Sequence, residues 1–440
     1  MKLPFDYENR MKEMLGDDFE AFLSAMSHES VRALRVNTLK GSVENFININ
    51  PWGLCDKDKV DWCPTGFYID DQISGKHPLH QAGVFYIQES SAMSVVEKLN
   101  VEPGDFVLDL CASPGGKSTQ IGAYLKGNGL LVSNEPILER ASNLSENIER
   151  AGIPNCLVCS AYPDEISERF EGAFNKILVD APCSGEGMFR KNPDAVGEWS
   201  VENVLMCAQR QKDILTEAYK MLAPGGRLVY STCTFSREED EENAAWFTDT
   251  YDDMHLVEQR KLLPYEVRGE GHFYAVFDKL GEWDEHCSFK KEAGINPKQK
   301  DIVLAYYYDF EKEYLNITGT DIFGRDGKYI LFGDELYLIP ESFPQMKGLK
   351  VLRSGLCLGT LKKNRFEPSH GLAMYLKPED VKASVSLTQE DATRFLKGES
   401  LSGEFKRGWN LVCYEGYSLG WGKASNGMLK NHYPKGLRIN

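Results

Sequence analysis

Two cysteines, one carboxylate and a glycine-rich turn are the groups in this sequence best suited to chemistry. Asp180-Ala-Pro-Cys183-Ser-Gly185 and Ser231-Thr-Cys233-Thr234 each place a cysteine among small and polar residues. A free cysteine is most often a small buried hydrophobe, a reading that suits Cys207, Cys287, Cys357 and Cys413. It suits Cys183 and Cys233 poorly, because their neighbours are those of a polar turn. A thiolate attacks carbon well and leaves again readily, but with an ordinary pKa of about 8.5 it is scarce at neutrality, so a site using one must stabilise the anion. The turn Cys111-Ala112-Ser113-Pro114-Gly115-Gly116-Lys117 combines two glycines, which admit a ligand close to the backbone, with amides at the start of a helix. Its spacing is neither GxGxxG nor GxxxxGK, so a phosphate cradle is disfavoured, and alone it reads equally well as a tight turn. Glu135 ends the next apolar run, where an acid commonly takes both ribose hydroxyls of an adenosine-type cofactor. Beside Pro136 it also reads as a solvated acid at a helix start.

These groups need a scaffold, and the apolar pattern supplies one. Strands are expected at 106–110, 129–135, 155–161, 174–183 and 226–234, with helices at about 117–125, 137–152 and 201–222 between them. Strands alternating with helices over ~140 residues predict a parallel, doubly wound α/β sheet. In such sheets ligands bind beyond the carboxyl ends of the strands, and every candidate residue falls at such an end. Residues 271–279 read as a late hairpin strand, and beyond about 285 the rhythm gives way to short strands and turns, predicting small β-rich domains. Cys156-x-x-Cys159 has metal-ligand spacing but lies along a strand, where i and i+3 face opposite ways, so neither zinc nor a redox pair is expected.

At 440 residues the chain has length for about three domains. Its 42% apolar and 26% charged residues are ordinary globular usage, which excludes long disorder. No apolar run reaches 18 residues and the start has no apolar signal region, so neither a membrane partner nor secretion is expected. Eleven scattered cysteines fit free thiols in a reducing cytoplasm. The net charge of −16 argues against nucleic acid, but it is uneven. Residues 346–366 hold six bases (Lys347, Lys350, Arg353, Lys362, Lys363, Arg365) and no acid, and residues 401–440 hold six bases against two acids. With aromatic Phe366, Trp409, Tyr414, Tyr417, Trp421 and Tyr433 interleaved, these runs point towards RNA.

Leu108-Asp-Leu-Cys-Ala-Ser-Pro-Gly-Gly-Lys117, Asp180 to Gly185 and Ser231 to Thr234, in that order, resemble the Nop2/Sun family of RNA 5-methylcytosine methyltransferases. RVNTLK (35–40), YIQESSAM (86–93), ERASNLSENIERAG (139–152) and FRKNPDA (189–195) agree with it. The ending from Gly408 is similar to the PUA-like domain of the bacterial RsmF-like subgroup, which modifies small-subunit ribosomal RNA. The resemblance implies a Rossmann-like class I methyltransferase core using S-adenosylmethionine. It also implies a small N-terminal α+β domain and a β-rich, PUA-like C-terminal region. The expected division is 1–85 (RNA-binding), 86–284 (methyltransferase), 285–365 (intermediate) and 366–440 (PUA-like). By the same resemblance Cys111 to Lys117, Glu135 and Asp180 would contact the cofactor. Asp180 would also meet the target cytosine, protonated or sharing the proton of N3. Cys233 would be the nucleophile and Cys183 would release the product. RNA, as ribosomal RNA or the small subunit, is the implied partner; a monomer is expected because no heptad pattern or long apolar patch stands out, and no metal is expected from the cysteine spacing. One departure stands out: Ser160-Ala161-Tyr162-Pro163 lacks the acid that often meets adenine in the family. Rival readings are a DNA cytosine-5 methyltransferase, whose Glu-Asn-Val beyond the strand-four cysteine is missing here, an amino-group methyltransferase, and a non-catalytic ribosome-assembly factor.

Overall fold

The computed structural model describes residues 3–439 apart from 193 and 285–288; Cys287 therefore lies outside the described residues. Its centre is an eight-stranded sheet. Strands Phe106–Asp109, Leu130–Asn134, Cys156–Cys159, Phe174–Asp180 and Leu222–Thr232 run parallel. In space Phe106–Asp109 lies between Leu130–Asn134 and Phe174–Asp180, so strand order reverses around it. Successive strands are wholly apolar where helices cover both faces: Val107 and Leu108, Leu131 and Val132, and Ile177 to Val179 are all buried. Helices Gly116–Leu125, Leu138–Ala151 and Val201–Met221 are the crossovers, the second ending at Gly152 in the left-handed conformation. The hairpin Met254–Leu262 and His272–Lys279 then adds antiparallel strands beside Leu222–Thr232.

Two features after residue 285 depart from the sequence-based expectation. An 18-residue helix, Pro297–Tyr314, is capped by Asn296 and buries Leu304, Tyr307 and Phe310 at three-residue spacing. Its run of tyrosines disguised a helix as strand, since aromatic residues are commoner in strands. The strand Val351–Ser354 pairs antiparallel with Cys156–Cys159 and so completes the central sheet. Arg353 is buried there and reaches the Glu149 carboxylate on helix Leu138–Ala151. Replacing Arg353 with Met strands that acid, and the expected cost is about 3 kcal/mol, read as a lower chemical-denaturation midpoint. A midpoint equal to wild type would show that the pair is not what fastens this strand.

The C-terminal region is β-rich, as expected, with a four-stranded sheet that includes Glu335–Ile339 and a five-stranded sheet around Gly408–Tyr414. Its aromatic residues do not form a stacking surface. Phe366, Trp409, Tyr414, Trp421 and Tyr433 are buried, because they fill the cores beneath these sheets. Arg353, counted among the basic run, is likewise an interior ion pair. One core cluster joins Leu34, Phe67 and Phe85 of the N-terminal sheet to Phe395, Leu419 and Tyr433, so the two ends of the chain share an interior. Among the described residues no helix is long and apolar enough to cross a membrane.

Candidate active site

Strand Phe174–Asp180 delivers Asp180 to the carboxyl edge of the sheet, and its neighbour Leu222–Thr232 delivers Ser231 opposite it in register. Ser231 Oγ donates to Asp180 Oδ1 at 2.7 Å, and Lys117 Nζ donates to Oδ2 at 2.7 Å. His272 Nε2 stands 3.5 Å from Oδ1. Burial alone would push the Asp180 carboxyl up, but the Lys117 ammonium and His272 hold it well below the usual carboxylate range. Burial equally opposes the Lys117 charge, and Asp180 returns it to above its ordinary value. Of the two forms of Asp180 that the sequence left open, the resting site therefore holds the carboxylate.

The chain past each strand turns so that Cys183 Sγ and Cys233 Sγ come within 3.2 Å. This approach is built by the second layer. Ser184 Oγ contacts Thr234 Oγ1 at 2.7 Å, while Glu239 accepts from Ser184 N at 3.0 Å and Gln211 Nε2 at 2.8 Å. Glu186 accepts from Trp199 Nε1, Phe235 N and Ser236 Oγ, which fastens the segment after Cys233 to the segment after Cys183. The Cys183 thiol is pushed well above its ordinary value, first by its hydrogen bond to Cys233 and then by burial. Either sulfur can be the donor of this contact.

Glu239 has a further consequence. Burial pushes its carboxyl up to about 7 against the hydrogen bonds from Ser184 and Gln211. An acid raised in this way binds its proton more tightly in the folded state, so its own contribution to stability is fully present below the unfolded value and is lost as pH rises to about 7. Denaturation midpoints between pH 5 and 8 are expected to fall, and Glu239→Gln is expected to flatten that slope. An unchanged slope in the variant would remove Glu239 as its source. Burial likewise pushes Asp109 up to about 7, so part of the decline is expected to persist.

Of the residues expected at the cofactor, the turn from Cys111 to Lys117 closes around the end of strand Phe106–Asp109. Ala112 N donates to Asn134 O at 2.9 Å, Ser113 Oγ to Arg140 O at 3.1 Å, and Pro114 O accepts from Asn147 at 2.7 Å. Gly115 has φ +112°, and a Cβ there would lie 3.1 Å from Leu144 Cδ1, so only glycine passes this point without strain. Helix Gly116–Leu125 starts without a side-chain cap, which leaves its first N–H groups open to a ligand. Cys111 is half-buried and Lys117 turns from the glycine turn towards Asp180, tying the two halves of the site together. Glu135 is buried and accepts from Ile137 N at 3.0 Å, with Arg140 at 3.3 Å, so it keeps acceptor capacity for hydroxyl groups. At the departure after strand Cys156–Cys159, Ser160 and Ala161 are spent on Pro136 O and Asn134 Oδ1. Ile137 and Tyr162, large and exposed, remain. An open helix start, an acid with free lone pairs and exposed apolar flanks match the carboxylate, ribose and base of S-adenosylmethionine. Cys156 and Cys159 are both buried and point to Ser133 and Asn134 respectively. Among the described residues no group of three or more His, Cys, Asp and Glu is placed to hold a metal.

The sequence reading missed His272 and Glu239 and did not single out Ser231. A histidine between Gly271 and Phe273, at the head of an apolar strand, was the available signal for the first.

Comparison with known proteins places the chain in a family. The model of 16S rRNA methyltransferase RsmB/F matches residues 96–277. The RsmF N-terminal domain matches 3–90, the first C-terminal domain of RsmF rRNA methyltransferase 309–376, and the RsmF PUA domain 382–439. The ribosomal RNA small subunit methyltransferase F of Vibrio vulnificus is 33% identical over 99% of this chain and 97% of its own length. That of Vibrio campbellii is 32% identical over 96% and 94%. Among solved structures, a methyltransferase homolog protein from Pyrococcus horikoshii is 29% identical, with TM-score 0.56 over 62% of this chain and 94% of its own. S-adenosylmethionine is accordingly the cofactor, as the family resemblance implied. With relatives of this identity aligned along almost its whole length, the chain belongs to the RsmF family of 16S ribosomal RNA methyltransferases.

Proposed function

We propose that this chain methylates C5 of a cytosine in small-subunit ribosomal RNA through a covalent bond between Cys233 Sγ and C6 of the base. The observation that carries the reading is the pair of sulfurs 3.2 Å apart beside an ionised Asp180, at the edge where the cofactor turn also ends. When bound, S-adenosylmethionine supplies a methyl group on a positively charged sulfur. Cytosine C5 is too poor a nucleophile to take it unaided. Addition of the Cys233 thiolate to C6 makes C5 electron-rich, and Cys suits that step because it also leaves again. The target base has to be unstacked to enter. The Asp180 carboxylate accepts from N4–H of cytosine, and from N3–H once solvent has given N3 a proton as negative charge builds there on addition to C6, while Lys117 and Ser231 keep it aimed.

Cys183 changes character during this sequence. While Cys233 is free, its sulfur keeps Cys183 a thiol. Once Cys233 is bonded to C6 its sulfur is a thioether and a poorer hydrogen-bond partner, so the largest cause of the elevation weakens and Cys183 loses its own proton to solvent more easily. It is then placed to take the C5 proton, after which the C6–S bond breaks and Cys233 leaves as thiolate. Ile137 and Tyr162, both exposed, would be the side chains available to meet the adenine in place of the missing acid.

Nucleoside mass spectrometry tests the reading. Small ribosomal subunits from cells lacking the modification are incubated with the protein and S-adenosylmethionine. A rise in 5-methylcytidine is expected. No rise there or on naked ribosomal RNA would overturn the proposed reaction.

A further inference from the structure

His272 opens the strand His272–Lys279, which pairs with Leu222–Thr232 in a register that sets Phe273 opposite Thr232. That register brings His272 level with Cys233. The imidazole is 3% exposed, and its Nε2 has no hydrogen-bond partner among the described residues. It lies 3.5 Å from Asp180 Oδ1, too far for a well-made N–H···O bond. Buried polar atoms are nearly always paired. A near miss between two buried groups at a reaction centre is the geometry of a resting site whose contact tightens when substrate arrives.

We propose that His272 is a positioning residue for Asp180, its Nε2–H closing onto Oδ1 when the target base is seated and completing a clamp with Lys117 and Ser231. The inference rests on the proposed function and adds a residue to it. A carboxylate has about four acceptor positions. Lys117 takes one on Oδ2, Ser231 one on Oδ1, and His272 a third, so the lone pair left for the base is fixed in direction. Without the third donor Asp180 keeps its charge but gains freedom to rotate, and misplacement by about 1 Å is enough to slow a positioned reaction by around 100-fold. The charged and titratable groups facing the imidazole are Asp180, Lys117, Glu89 and, level with it, Cys233. Burial first, then the Lys117 ammonium, hold it below the usual imidazole range, with Asp180 opposing, so the ring is neutral and has a single N–H to direct.

The test compares His272→Leu with His272→Gln in the full-length protein. Single-turnover methyl transfer to unmethylated small subunits is expected to fall on the order of 10- to 100-fold in His272→Leu. Dissociation constants for S-adenosylmethionine and RNA are expected to stay within about twofold. His272→Gln, whose amide N–H reaches a similar place, is expected to recover most of the rate. The acid limb of the rate profile is expected to move to higher pH in His272→Leu, because a donor to the carboxylate is lost. A Leu variant as fast as wild type would overturn the inference. So would a Gln variant as slow as Leu with an unmoved acid limb, which is the signature of packing alone. A second measurement needs no turnover. In protein labelled with ¹⁵N-histidine, the ring signals that disappear in His272→Gln are expected to shift when unmethylated ribosomal RNA binds and to lose that shift in Asp180→Asn; an RNA-induced shift that is absent, or the same in Asp180→Asn, would refute the contact. Wild-type protein forming no 5-methylcytidine would instead refute the proposed reaction, with the Asp180–His272 contact still decided by the labelled protein.

Discussion

Cys233→Ala is expected to reduce methyl transfer by a factor on the order of 10⁴ or more while leaving S-adenosylmethionine binding within about twofold of wild type. The expectation follows from position. Cys233 lies past the end of strand Leu222–Thr232, whose Ser231 is hydrogen-bonded to Asp180, whereas the cofactor turn and Glu135 belong to the strands around Phe106–Asp109 and Leu130–Asn134. Removing one sulfur would therefore remove the proposed nucleophile without touching the proposed cofactor surface. The fold has no strong reason to object, because the surrounding segment is fastened by Glu186, Glu239 and their partners and not by the thiol. Calorimetric titration with S-adenosylmethionine and a single-turnover assay on unmethylated small subunits check both halves. Retained transfer would exclude covalent catalysis through Cys233; lost binding together with lost transfer would point to a disrupted fold.

Cys183→Ala is expected to trap the enzyme on its RNA. If Cys183 takes the C5 proton after methylation, the Ala variant forms the C6–S bond and transfers the methyl group once, but does not release. A protein–RNA adduct that survives denaturing electrophoresis and depends on both S-adenosylmethionine and Cys233 is the expected product. Turnover is expected to fall by about 10²- to 10⁴-fold, the usual scale for a lost acid–base group. The two variants discriminate further in combination. Cys183→Ala/Cys233→Ala should show no adduct, because the bond that Cys183 helps to break is never made. Normal turnover in Cys183→Ala without any adduct would require that another base near the site takes the proton.

Much of the core was legible before any coordinates. Strands buried on both faces read as short continuous apolar runs, and those at 106–110, 129–135, 155–161, 174–183 and 226–234 were placed within a few residues of the observed ones. Because parallel strands present their carboxyl ends on one edge, placing them also gathered Cys111 to Lys117, Glu135, Asp180, Cys183 and Cys233 there. The C-terminal half was less legible. The tyrosine-rich stretch 297–314 carries a helical spacing that aromatic composition obscures. The aromatic residues among the basic runs read as a stacking surface, yet all of those named but the half-buried Tyr417 are interior, since composition does not say which face of a strand meets a core.

The sequence by itself determined the class of chemistry, because residue types are chemistry: two turn cysteines, an acid between small residues and a paired-glycine turn have few common uses. It also determined the order of the core strands along the chain, since local apolar periodicity specifies elements. Tertiary structure decided what periodicity cannot reach, namely distances between elements far apart in sequence. It set two sulfurs fifty residues apart at 3.2 Å, turned Lys117 from the cofactor turn onto Asp180, and so made that acid a carboxylate in the resting site. It also brought a late-strand histidine to the same carboxylate and packed the N-terminal sheet into one core with the C-terminal one. A charge or a proton is held by whatever stands within a few ångströms of it in a low-dielectric interior, and that proximity exists only once the chain has folded.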